Sequence, residues 1–357
     1  MAAEKDIVDI SKMELFEKIT MRDEVKKELA DQHGPIREAL KGVKYKLAIL
    51  SGKGGVGKTS AVINIASALK KMGFSVGILD ADVHGPSVPK MIGIGLHNST
   101  NGASENSGQI QVHCQRAEMQ NGIRPMAESD PSKDEMINLI MDEKDHTHHS
   151  SSISNERDRM HGSWGMSPVE TSEGIKVMSV SLFWPGEATP IMWKGHYKAR
   201  VIRQLLASVK WGKLDFLLVD LPPGTGDEPT TIMKSIPGLD GMVMVTSPQE
   251  ISVSVCSKAI SSANELGAPL LGLIENMTDF SCPHCGEKIA ILGQGKGEEL
   301  ARTYKIPFLG SIPLNELAGR AADEGSPVVV RYPDSPVAKA YWGITHKLLD
   351  VLKEKEE

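Results

Sequence analysis

The sequence predicts an α/β fold, a mostly parallel β-sheet with helices on both faces. Three observations carry this. Short apolar runs alternate with amphipathic stretches of helical length, the rhythm of βα units. One run, Leu214–Asp220, is apolar almost throughout, as a central parallel strand buried on both faces should be. The glycine-rich stretch Gly52-Lys53-Gly54-Gly55-Val56-Gly57-Lys58-Thr59-Ser60 lies between a strand-like and a helix-like run.

In chain order, Tyr45–Ser51 reads as the first strand and Thr59–Met72 as its helix. Ser75–Asp80 is the second strand. Ordered pattern resumes at Ile175–Leu182, followed by a helix at Tyr197–Val209 and the central strand Leu214–Asp220. Gly241–Thr246, Leu270–Glu275 and Phe308–Ile312 read as strands. Glu250–Leu266, Gly297–Tyr304 and Ser335–Lys355 read as helices. Val328–Tyr332 is apolar but too short to assign. Residues 1–43 read as a helical extension interrupted by Gly34-Pro35, residues 44–350 as the main domain, and 351–357 as a charged tail. Residues 97–173, rich in Ser, Asn, Gly, Glu and His, lack periodicity and are expected to form a disordered insertion.

The 357 residues suffice for one large α/β domain with appendages, and a net charge of −6 argues against bulk binding to nucleic acid or anionic membrane. No apolar run approaches a membrane span, and the first residues lack a signal-peptide layout, so a cytoplasmic location is expected. Thiols stay reduced there. Of the four cysteines (Cys114, Cys256, Cys282, Cys285), two form a Cys-x-x-Cys pair, which in that setting reads as metal or redox chemistry.

Residues 52–59 fit G-x-x-x-x-G-K-[ST] in the strand–loop–helix context that makes it a phosphate-binding loop. Its glycines let backbone N–H groups, from Gly52 through Ser60, close on an anion at a helix N-terminus. Lys58 would reach the β- and γ-phosphates of ATP, and Thr59 would ligate Mg²⁺. Asp220, ending an apolar strand, is a candidate for the Mg²⁺ site. Asp80 and Asp82 end the second strand, and in a parallel sheet they open onto the same crevice. Asp82, further into the loop, is assigned to the attacking water and Asp80 to the metal's surroundings. Gly224 and Gly226 suit either a phosphate-sensing loop or a plain Pro/Gly turn.

Cys282-Pro283-His284-Cys285-Gly286 would aim both sulfurs at one metal. Zinc, an iron–sulfur cluster and a redox dithiol all fit the pair. A four-thiolate site would need two chains. Cys256, in a helical pattern, reads as a buried small apolar residue. His113-Cys114 and His146-Thr147-His148-His149 read as metal ligands or as parts of a solvated loop, the latter better suited to their composition. The amphipathic Ser335–Lys355 helix suits core packing better than an anionic membrane surface, because its polar face is partly acidic.

These motifs together resemble a known family. Lys53–Thr59 is similar to the deviant Walker A loop of the MinD/ParA/nitrogenase-iron-protein group of P-loop NTPases. Asp80–Ser87, Val219–Asp227, and Glu275-Asn276-Met277 with Phe280–Gly286 resemble the signatures of its Mrp (ApbC-like) branch. The likeness covers about residues 44–96 and 174–350. It implies an ATPase that carries [4Fe–4S] clusters to recipient apoproteins as a homodimer. It further implies that Lys53 acts on the partner chain's nucleotide, that Cys282 and Cys285 of two chains bridge one cluster, and that Asn276 and the Pro313 region contact adenine. The insertion, and Trp193-Lys194-Gly195-His196 in place of the usual Trp-Arg-Gly-Pro, depart from the pattern. No N-terminal four-cysteine cluster is present, which favours a carrier of prokaryotic type. A MinD/ParA-type positioning ATPase, with a structural zinc or dithiol at the cysteine pair, is the alternative.

Overall fold

A computed structural model describes residues 34–83, 85–94, 114–116, 164–183, 195–282 and 284–356. Residues 1–33 of the expected extension, most of the insertion with His113 and His146–His149, Trp193-Lys194, Pro283 and Glu357 lie outside them.

The described chain begins with a helical segment, 34–40, that buries Ile36 and Leu40. Strand β1 (Val43–Ser51) leads through the glycine-rich loop into helix α1 (Lys58–Lys71), then β2 (Val76–Asp80) and the short α2 (Val88–Met91). Strands β3 (Cys114–Arg116) and β4 (Trp164–Met166) form a separate antiparallel pair. Next come β5 (Val169–Glu170), β6 (Lys176–Ser179), a 3₁₀ turn (Val180–Phe183), α3 (Gly195–Ser208), β7 (Leu214–Asp220), α4 (Asp227–Ser235), β8 (Gly241–Thr246) and α5 (Glu250–Glu265). The remainder is β9 (Leu270–Ser281), β10 (Lys288–Ile289), α6 (Gly297–Tyr304), β11 (Phe308–Leu314), α7 (Glu316–Asp323), α8 (Val328–Arg331) and α9 (Pro336–Glu354).

The main sheet runs β10-β9-β8-β1-β7-β2-β6-β5, with β11 also pairing β9. Its pairings are parallel except those of β5 and β10 at its margins. The strands β2 and β8, β7 apart from Asp215, and most of β1 are buried, as two covered faces require. One face packs on α3, α4 and α5 around Trp211, Leu205 and Ile260. The other packs on α1, α8 and α9 around Ile63, Leu69 and Tyr341. The C-terminal helix therefore covers core, as its apolar stripe indicated.

Several elements differ from expectation. Val328–Tyr332, left unassigned from the sequence, holds a short helix, Val328–Arg331, whose valines pack against α1 and α9. α4 and α7 begin beside turn-like residues that concealed them, and α7 is capped by Asn315 accepting from the Leu317 N–H at 2.9 Å. β5, within the span assigned to the insertion, pairs antiparallel with β6. β9 extends to Ser281, six residues past the expected end, and this extension carries the chain to the cysteine pair.

Candidate functional site

The parallel sheet brings the ends of β1, β2 and β7 to one crevice. Register pairs Ile49 with Asp220 and Asp220 with Asp80, so the phosphate loop and both aspartates emerge side by side. Gly52 has no room for a side chain, since a Cβ would lie 2.7 Å from the backbone of Val255 and Cys256. Gly57 is the N-cap of α1 with φ 81°, and a Cβ there would lie 2.1 Å from the Asn276 Nδ2. No side chain caps α1, whose first N–H groups are therefore free to face an anion. The loop leans on its neighbours: the Ser51 hydroxyl donates to the Lys53 carbonyl at 3.0 Å, and the Gly224 N–H donates to the Ser51 carbonyl at 2.8 Å. The Gly224–Gly226 segment is thereby tied to the root of the phosphate loop.

Lys58 is buried and ion-paired with Asp220 Oδ1; its Nζ lies 4.0 Å from Asp82 Oδ2. The Thr59 hydroxyl donates to Asp220 Oδ2 at 2.7 Å. Asp80 is fully enclosed and accepts from the Ser179 hydroxyl at 3.1 Å, the Asp82 N–H at 3.2 Å and the Val88 N–H at 3.3 Å. Burial, with the neighbouring Asp220 charge, pushes the Asp80 carboxyl up to about 8. Burial also raises Asp220, against the opposing pull of Lys58 and Thr59. Asp82, Asp220 and Asp80 thus gather near one ammonium. Asp220, beside the Thr59 hydroxyl, offers oxygen of the kind that a hard divalent cation such as Mg²⁺ takes.

Asn276 is buried and donates from Nδ2 to the Val56 carbonyl at 2.9 Å, so it holds the phosphate loop from the side. Pro313 follows Ile312, which pairs with Asn276 across β9 and β11, and the two expected adenine-contact positions are neighbours. Lys53 lies on the surface and donates to Gln249 Oε1 at 3.3 Å, and Ser60 receives a 3.4 Å contact from the Tyr341 hydroxyl.

The cysteine pair stands apart, at the tip of the β9–β10 hairpin. The Cys282 N–H donates to the Glu287 carbonyl at 2.9 Å, and the Gly286 N–H closes a turn onto the Cys282 carbonyl at 2.8 Å. Gly286, with φ 74°, takes the left-handed conformation this turn needs. Backbone N–H groups of Cys285 and His284 point at the Cys282 sulfur and pull its thiol below the usual range. Cys285 is exposed. Among the described residues no His, Asp or Glu joins the pair in a group of three, so within them it offers two sulfurs. Cys256 is wholly buried, and burial pushes its thiol up to about 12.

Two contributors were not singled out in the sequence. Ser179 reaches Asp80 because β6 pairs Ser179 with Asp80. Glu275, buried at the end of an apolar run, accepts the N–H groups of Lys296 and Gly297 at 2.9 Å each and so anchors the N-terminus of α6. A carboxylate ending an apolar run was the available signal for it.

The fold and the loop define a P-loop NTPase whose phosphate loop carries an additional lysine. A match to the family described as ParA: NUBPL iron-transfer P-loop NTPase spans residues 42–148 and 148–349, and the chain belongs to that family. It is 38% identical over 334 residues to an iron-sulfur cluster carrier protein of Methanocaldococcus jannaschii, with 94% of each chain covered. It is 40% identical over 319 residues to one of Pyrococcus furiosus, covering 89% of this chain and 90% of that one. Among solved structures, a nucleotide-binding protein of Archaeoglobus fulgidus in complex with ADP matches with TM-score 0.56 and 34% identity, over 82% of this chain and 91% of that one. A chain of the MinC:MinD cell division protein complex of Aquifex aeolicus, at TM-score 0.50 and 17% identity over 86% of this chain and 96% of that one, shares the fold.

Proposed function

We propose that the protein is an ATP-dependent carrier that takes up [4Fe–4S] clusters as cargo and transfers them to recipient apoproteins, acting as a homodimer with one bridging cluster. The observation that carries this reading is the Cys282–Cys285 turn, whose N–H groups favour a thiolate at the tip of a strand that also touches the phosphate loop. Two sulfurs per chain make half of a four-thiolate site, and two chains complete it. The relatives named iron-sulfur cluster carrier proteins support the cargo, and the ADP complex supports the nucleotide.

In this reading residues 52–60 cradle the phosphates of ATP, with Asn276 and Pro313 flanking the base. Lys58 offsets phosphate charge, and Lys53, free of the crevice in the single chain, serves the partner's nucleotide. Thr59 and Asp220 hold Mg²⁺, supported by Asp80, and the bound ion would supply charge neutralisation on the phosphates. Asp82 positions the attacking water: its carboxylate, 4.0 Å from Lys58, is close enough to the phosphate site to accept the proton that water gives up. Hydrolysis is coupled to a change in how the two cysteine pairs face each other. Among the described residues no helix is long and apolar enough to cross a membrane. A relative in Schizosaccharomyces japonicus is named a probable cytosolic Fe-S cluster assembly factor, which supports cytoplasmic action.

A positioning ATPase would leave the thiolate-favouring turn without a task beyond structure. Anaerobic reconstitution with iron and sulfide separates the two readings. The wild type is expected to bind about one cluster per dimer, and Cys282→Ala/Cys285→Ala none. Equal cluster content in the double variant would sink the carrier reading. Lys53→Ala is expected to abolish nucleotide-dependent dimerisation, read by sedimentation; unchanged dimerisation would remove Lys53 from the shared site.

A further inference from the structure

We propose that the irregular segment Asn276–Asp279 of β9 is a hinge through which the phosphate loop sets the orientation of Cys282 and Cys285, with Asn276 as the positioning residue. The inference deepens the carrier reading, because it names how nucleotide would regulate the cysteine site.

One strand joins the two sites. Asn276 grips the Val56 carbonyl, one residue before Gly57 and two before Lys58. The strand runs on to Ser281, and Cys282, six residues after Asn276, follows it directly. Between them the ladder to β11 breaks: Asn276 faces Ile312, and the next pair is Phe280 with Leu314, so β9 uses four residues where β11 uses two. Two residues of β9 are therefore extruded, a bulge of the kind that re-aims a strand beside a site. Within it Met277 has φ 60°, one of only two positive-φ residues other than glycine among those described. Such a conformation persists at a side-chain-bearing residue only where its surroundings impose it.

The surroundings are the phosphate loop itself. A Cβ on Gly57 would meet Asn276 and, at 3.6 Å, the Met277 methyl, so both residues are pressed against the loop. On the other side the Thr278 hydroxyl donates to the Ile312 carbonyl at 3.1 Å and closes the gap in the ladder. Beyond the bulge pairing resumes: Phe280 and Ser281 pair with Ile289 and Lys288, and Cys282 bonds to Glu287. The segment before Asn276 is locked between β8 and β11, and the hairpin after Phe280 is locked by β10. The bulge is the compliant joint between two stiff arms. When phosphate draws the loop's N–H groups inward, the Val56 carbonyl shifts, Asn276 follows, and the hairpin swings about Met277.

The test uses the full-length protein free of iron and of any metal at the cysteine pair, and reads iodoacetamide alkylation of Cys282 and Cys285 by peptide mass spectrometry, with and without saturating Mg²⁺ and a non-hydrolysable ATP analogue. In the wild type the nucleotide is expected to change the rate about 5-fold or more, the size of an ordinary allosteric coupling. Met277→Gly accepts φ 60° without strain; it is expected to keep nucleotide affinity and to respond less than about 2-fold. Asn276→Ala, tested at a nucleotide concentration that saturates it, is expected to lose the response as well. Sedimentation on the same samples reports the oligomeric state. A wild type that does not respond, variants that respond as it does, or rate changes that follow dimerisation identically in all three proteins would each overturn the hinge. Because no iron is present, failure here is distinct from failure of the carrier reading: a hinge that responds in a protein that takes up no cluster removes only the cargo.

Discussion

Gly57→Ala tests whether the phosphate loop is held in shape by Asn276. Gly57 and Gly55 both have positive φ, 81° and 78°, so either alanine meets the same backbone strain, about 1–2 kcal/mol. Their surroundings differ. A Cβ at Gly55 has nothing within 4 Å, whereas one at Gly57 would lie 2.1 Å from the Asn276 amide and must displace it. Displacement breaks the 2.9 Å bond to the Val56 carbonyl and leaves buried polar groups unpaired, a further cost of about 1–3 kcal/mol. Gly57→Ala should therefore destabilise the nucleotide-free protein by about 2–5 kcal/mol and Gly55→Ala by about 1–2. Guanidinium unfolding of the wild type, both single variants, Asn276→Ala and the Gly57→Ala/Asn276→Ala double variant measures this. In the Asn276→Ala background the alanine at 57 should cost only its backbone strain, a non-additivity of about 1–3 kcal/mol. Equal costs at 55 and 57, or full additivity in the double variant, would refute the reasoning.

Three further outcomes are expected. The Asp80 carboxyl titrates near 8 in the fold against 3.8 for the free group, so the native chain holds the extra proton between those values. The stabilisation this gives is complete below about pH 4 and is lost as pH rises through about 8, with a slope approaching 1.4 kcal/mol per pH unit. Melting of nucleotide- and metal-free protein should show this decline, and Asp80→Asn should flatten it; parallel profiles would exclude Asp80 as the cause. Cys256, enclosed and with its thiol pushed up to about 12, should resist alkylation at pH 8 in the folded protein while Cys282 and Cys285 react, and peptide-resolved labelling before and after denaturation checks it. Glu275→Ala leaves the Lys296 and Gly297 N–H groups without their acceptor, so it should cost about 2–4 kcal/mol and speed hydrogen exchange at the start of α6; unchanged exchange there would mean that α6 is anchored otherwise.

The parts legible in the sequence were those where local chemistry and burial agree. Leu214–Asp220 and Gly241–Thr246 are buried on both faces, so their apolar runs begin and end with the strands themselves. The phosphate loop was legible because glycines at fixed offsets answer a backbone requirement that few other loops share. The end of β9 was not, because Thr278, Asp279 and Ser281 are partly or fully exposed; their strand conformation comes from pairing with β10 and β11, which periodicity does not register. For the same reason the grip of Asn276 on Val56 lay beyond reach, since it joins residues 220 positions apart. Val328–Arg331 shows the converse: three consecutive valines favour a strand locally, and the packing of α1 and α9 overrides them.

The sheet order has a consequence for how the molecule is made. β1, which leads into the phosphate loop, lies between β7 and β8, and Lys58 and Thr59 rest on Asp220, more than 160 residues away. During synthesis β1 and α1 therefore emerge long before any strand that can flank β1 exists. Their apolar faces must wait through the whole stretch up to β7, and such long-range closure is slow and exposes sticky surface. The nucleotide loop is thus a late product of folding, although an early product of translation. A ribosome-bound chain halted before residue 214 would be expected to lack ATP affinity even though its whole Walker sequence is already exposed.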